Sequence, residues 1–194
     1  VISGLMNDTV EGGEGNDFLF GSSGSDSLQG QAGDDVLDAG TGNDTLVGGE
    51  GDDTFVIDFN ADFGQKTISD SDGIIFQGGA APGGTNLIGN AISGAAVAIQ
   101  GQSGAYEMTV NGQDYTLTQD GGNLDINRDN VSSAQMTVTV NDYTNGAFGI
   151  SLFTPDIRGT DEADDRRGTN ASEVIATGAG NDTIAAMGGN DTVI

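Results

Sequence analysis

Apolar residues recur along the start of the chain with a period that fits neither an amphipathic helix nor an alternating strand. Val10, Leu19, Leu28, Leu37, Leu46 and Phe55 are nine residues apart, and each stands two positions after an Asp: Asp8, Asp17, Asp26, Asp35, Asp44 and Asp53. Gly15, Gly24, Gly33, Gly42 and Gly51 stand two positions before the Asp, with Met6 the one exception. The unit from Gly12 to Phe20 reads G-G-x-G-x-D-x-U-x, where U is a large apolar residue, and six such units run from Ser3 to Val56. The register returns from Gly159 to Ile194, with Asp164, Glu173, Asp182 and Asp191 at the acidic position and Arg166, Ile175, Ile184 and Val193 at the apolar one. There the unit Thr177–Ala185 is well formed. The two units before it are degenerate: Glu162 and Ala171 replace Gly, and Arg166 stands at an apolar position.

Residues 57–158 lack this period. Thr54–Phe59 reads as a strand closing the first repeat block, Thr67–Phe76 as strand, turn and strand, and Gly78–Asn90 as a loop. Asn111-Gly112 between two alternating runs marks a type I′ hairpin. Asp120-Gly121-Gly122 turns into Leu124–Ile126, and Met136–Val140 and Gly149–Phe153 complete an antiparallel β-meander packed on, or continuing from, the end of the first block.

Composition narrows the chemistry. The 194 residues include 34 Gly, 30 Asp plus Glu against five Lys plus Arg, and no Cys, His or Trp, for a net charge of -25. Disulfides, thiolate or imidazole metal sites and His-dependent nucleophilic triads are excluded. Nucleic acid and anionic membrane surfaces would meet charge of their own sign, and no apolar run is long enough to span a bilayer. No signal peptide is visible in the first residues. Such a chain stays disordered unless a cation neutralises it.

The two repeat blocks resemble the RTX family of hemolysin-type calcium-binding nonapeptide repeats over nearly half the chain. Residues 70–73, 122–126 and 138–152 more loosely resemble the β-rich region often found between such blocks. In physical terms each unit divides into a six-residue turn and a three-residue strand, and stacked strands align their apolar residues into a ladder. The Asp is the metal ligand, and a hard cation adds backbone carbonyls to its carboxylates; calcium fits such a site better than magnesium. The resemblance implies an all-β chain: two parallel β-roll (RTX) blocks, residues 1–56 and 159–194, flanking the antiparallel β-rich segment 57–158. Two units make one coil, so Asp8, Asp26 and Asp44 line one edge and Asp17, Asp35 and Asp53 the other. Asp164 stacks with Asp182, and Glu173 with Asp191. Carbonyl ligands come from turn positions such as Gly13, Gly15, Gly33, Gly40, Gly42, Gly49, Gly51, Gly178 and Gly180. One ion between stacked turns gives about four Ca²⁺ sites in the first block and about two in the second.

Other chemistry is weaker. Asp125–Asn130 begins like an EF-hand loop, but Asn130 and Met136 replace its sixth-position Gly and twelfth-position Glu. Asp70 and Asp72 read as turn residues or ligands for an extra Ca²⁺ rather than a catalytic pair. Tyr106, Tyr115 and Tyr143 read as packing residues rather than a sugar platform. The N-x-[ST] matches are by-products of the repeat. Four of the five cations lie beyond residue 127, which makes the first block the more calcium-dependent half.

The expected function is a calcium-binding module that folds on Ca²⁺ after secretion and stabilises a larger extracellular bacterial protein; the chain reads as a piece of that protein. The resemblance implies export through a type I secretion machinery, with neighbouring domains as partners. The alternative is an adhesin or carbohydrate-binding module using the central β-region. Catalysis is not expected in this chain, though an attached domain could supply it.

Overall fold

The computed structural model describes residues 1, 3–59, 64–70, 73–80, 87–99, 102–129, 136–153, 155, 157–160 and 162–194. Asp72, Asn130 and the Pro82 region of the expected loop lie outside them.

The nine-residue period becomes a two-sided roll. Strands β1 (Thr9–Glu14), β3 (Ser27–Ala32) and β5 (Asp44–Glu50) pair in parallel on one side, and β2 (Phe18–Phe20), β4 (Val36–Asp38) and β6 (Thr54–Ile57) on the other. Register follows the repeat: Val10 pairs with Leu28 and Leu28 with Leu46, while Leu19 pairs with Leu37 and Leu37 with Phe55. These side chains are buried between the two sheets. Each contributes on the order of 1.5–3 kcal/mol relative to exposure.

The roll does not close at β6. Strands β7 (Gln65–Ser69) and β8 (Ile74–Ala80) add a further coil, Leu46 pairing with Ile68 and Phe55 with Ile75. The apolar ladder therefore outlasts the nonapeptide spacing. Residues 78–80 and 87–90, expected in a loop, are strand instead: β9 (Leu87–Ala91) folds back antiparallel on β8.

The central region continues the β1-β3-β5-β7 sheet. Strands β10 (Gly94–Ala98), β11 (Ala105–Val110), β12 (Gln113–Asp120), β13 (Asn123–Arg128), β14 (Thr137–Asn141) and β15 (Ile150–Phe153) extend it in the order β7-β14-β13-β12-β11-β10-β15. The β10 to β14 neighbours are antiparallel, but β14 joins β7 in parallel and β15 returns parallel to β10, so the region is more than a meander. Asn111 (φ 52°) and Gly112 (φ 75°) both adopt the left-handed conformation a type I′ turn requires.

The second block is a smaller parallel roll. Strands β16 (Ile157–Arg158), β18 (Val174–Ala176) and β20 (Thr192–Val193) pair in parallel in one sheet, and β17 (Asp165–Arg167) and β19 (Thr183–Ala185) pair in parallel in another. Among its described residues the buried apolar ones are Ile175 and Ala176, whereas one continuous core joins the first roll to the central sheet. No described helix is long and apolar enough to cross a membrane.

Candidate metal centres

The turns place the Asp residues in columns. Along one edge the backbone N–H of Asp8 donates to Asp26 Oδ1 and that of Asp26 to Asp44 Oδ1, each at 2.8 Å. Along the other, Asp17 N–H donates to Asp35 Oδ1 at 2.7 Å and Asp35 N–H to Asp53 Oδ1 at 2.8 Å. In the second block Asp164 N–H reaches Asp182 Oδ1 at 3.0 Å, and Glu173 N–H reaches Asp191 Oδ1 at 3.1 Å. One carboxylate oxygen thus ties each coil to the one before it.

The second oxygen is where the need for a cation shows. Oδ2 of Asp17, Asp26 and Asp35 is buried and accepts no hydrogen bond. A buried carboxylate oxygen without a donor is costly. Burial pushes the carboxyls of Asp26 and Asp35 above their ordinary range; neighbouring carboxylates add to this, and the N–H groups of Asp8 and Asp17 oppose it. These columns are short of positive charge, which a divalent cation would supply.

Glycine lets the turns close around these oxygens. A Cβ at Gly30 would lie 2.1 Å from Asp35 Oδ2 and 2.7 Å from the Gly48 carbonyl oxygen. Gly42, at φ 126°, would place a Cβ 1.6 Å from the Gly24 carbonyl oxygen. The expected carbonyl donors Gly13, Gly15, Gly33, Gly40, Gly42, Gly49, Gly51, Gly178 and Gly180 all take left-handed φ values. Among the described residues no group of three carboxylates suited to a metal gathers at one point. A cation here would have to draw on carbonyls as well as Asp side chains, and the donor set fits calcium in that way.

The second block differs. Asp164 Oδ2 accepts from the Thr160 N–H at 2.6 Å and from its hydroxyl at 3.0 Å, while Arg166 lies 2.7 Å from Oδ1. These donors, the Thr160 N–H first, hold the Asp164 carboxyl below its ordinary range. The Glu173 carboxylate likewise accepts from Thr169 N–H at 2.8 Å. Arg166, the misfit at an apolar position, is thus a neighbour of an expected ligand.

Two features escaped the periodic pattern. Asp70 joins the Asp17–Asp35–Asp53 edge, because a Cβ at Gly48 would lie 2.2 Å from Asp53 Oδ2 and 2.6 Å from Asp70 Oδ2. Lys66 is fully buried, and its ammonium donates to Gly40 O at 2.6 Å, Gly42 O at 2.8 Å and Asp44 Oδ2 at 2.7 Å. Among the tyrosines, Tyr115 and Tyr143 are buried, so they present no open face to a sugar.

Residues 2–37, 20–55 and 167–194 match the family model of the RTX calcium-binding nonapeptide repeat (4 copies). Among solved structures the chain is similar to the solution structure of the AlgE6R3 subunit from the Azotobacter vinelandii mannuronan C5-epimerase. The identity is 24% and the TM-score 0.43, over 79% of this chain and 81% of that one. No curated protein matches the chain.

Proposed function

From the match of residues 2–55 and 167–194 to the RTX calcium-binding nonapeptide repeat, we propose that the chain is a module whose folding is driven by calcium outside the cell and which stabilises a larger secreted protein. The observation that carries this reading is the set of buried Asp17, Asp26 and Asp35 Oδ2 atoms without a hydrogen-bond donor. In the metal-free chain these carboxylates oppose stacking. An ion bound only by the stacked turns stabilises the fold by mass action.

The Asp columns and turn carbonyls hold the ion, and the apolar ladder makes the gain cooperative by locking neighbouring coils together. Calcium is scarce inside a cell and plentiful outside, so the same linkage keeps the chain unfolded for passage through a type I secretion channel and folds it on emergence. The chain supplies binding and stability, and any catalysis of the parent protein belongs to attached domains.

Circular dichroism during a calcium titration of chelated protein, with magnesium as control, tests this. A cooperative gain of β-signal with calcium alone is expected. A folded spectrum in chelator that calcium leaves unchanged would overturn the linkage.

A further inference from the structure

Three expected calcium donors already converge on a positive charge. The Gly40 and Gly42 carbonyls and the Asp44 carboxylate, each among the metal donors that the resemblance implies, surround the Lys66 ammonium at 2.6–2.8 Å. Lys66 and Asp44 side chains are both fully buried. The backbone explains why the ammonium reaches this place. In the parallel pairing of β5 with β7, Lys66 is the register partner of Asp44. It stands on the rung that follows Asp8, Asp26 and Asp44, where continuation of the column would bring another acidic residue.

We infer that Lys66 takes the place of a calcium ion at the end of the Asp8–Asp26–Asp44 edge, closing that column to further metal with a covalently attached cation. The inference rests on the calcium-binding reading above. An ammonium is a compact charge that donates in several directions, so it satisfies two carbonyls and a carboxylate as a small hard cation would. It carries one charge instead of two, and besides its ion pair with Asp44 it acts on the Asp26 carboxylate, whose pKa it lowers against the rise that burial imposes. The other edge ends differently, with Asp53 and Asp70 both reaching Gly48. The coil that links the roll to the central sheet through β7 is therefore secured on one edge without metal.

The test counts calcium ions per chain by native mass spectrometry at saturating calcium, for the wild type, Lys66→Asp and Lys66→Ala. Lys66→Asp restores the acidic rung; Lys66→Ala empties the space while leaving the three donors. Each variant is expected to hold one more ion than the wild type and to need more calcium than the wild type for half-maximal β-signal. A folded variant with the wild-type ion count overturns the inference. So does failure of both variants to fold in saturating calcium, since calcium then cannot replace the ammonium. A wild-type chain that holds no calcium would instead overturn the calcium-binding reading itself.

Discussion

Asp26 and Asp35 carry the clearest physical tension in the molecule: each is buried, each is hydrogen bonded through one oxygen, and each has a second oxygen without a donor. Their folded carboxyls bind protons at higher pH than the ordinary value of 3.8 expected of the unfolded chain. The folded state then holds more protons than the unfolded one in that window. Without calcium its stability is greatest in acid and falls as pH rises through the raised values. With calcium the trend should reverse, because protons compete with the ion for the same oxygens. Thermal melts of chelated and calcium-loaded protein across mildly acid to neutral pH check this; parallel pH trends in the two would be the contrary result. Asp164 belongs to the opposite case, since Thr160 and Arg166 already serve its oxygens.

Turns and hairpins use glycine for separable reasons, and two substitutions tell them apart. Gly112 sits at φ 75° with open space around its Cβ position. Gly112→Ala should cost about 1 kcal/mol of backbone strain in the hairpin and leave calcium stoichiometry unchanged. Gly42 combines φ 126° with a Cβ position 1.6 Å from the Gly24 carbonyl oxygen, so Ala there must push two coils apart. Gly42→Ala is expected to lower calcium affinity as well as stability, measured by calorimetric titration beside Gly112→Ala. Equal calcium binding by the two would show that the turn carbonyls do not need the close approach of the coils.

The molecule combines two kinds of cohesion. Central strands β11–β14 pair antiparallel and bury Met108, Tyr115, Leu117, Leu124, Ile126, Val138 and Val140. The first roll buries its ladder equally well but must also stack carboxylates within a chain of net charge -25. On chelation, hydrogen exchange should accelerate first in β1–β6 and in the second block, and in β11–β14 only afterwards. Uniform loss across the chain would mean that the continuous core couples both parts into one cooperative unit.

The periodic residues by themselves determined the turns, the apolar ladder and the acidic positions of the first six units, and the resemblance to the RTX repeats implied that two units make one coil. A nine-residue spacing puts Asp and apolar positions on the same rungs in every coil, so columns, ladder and turn glycines are all local consequences of one repeat. The Asn111-Gly112 hairpin was legible for the same reason, since its turn chemistry lies in adjacent residues. Where contacts depend on register between distant segments, only the tertiary structure decided. Lys66 lies 22 residues from Asp44, not the 18 that separate successive Asp on that edge, so no period points to it. The join of β14 to β7, the return of β15 to β10 and the approach of Asp70 to Asp53 are likewise set by packing. An irregular coil keeps its apolar residue on the ladder because burial demands it, whatever the length of the loop between.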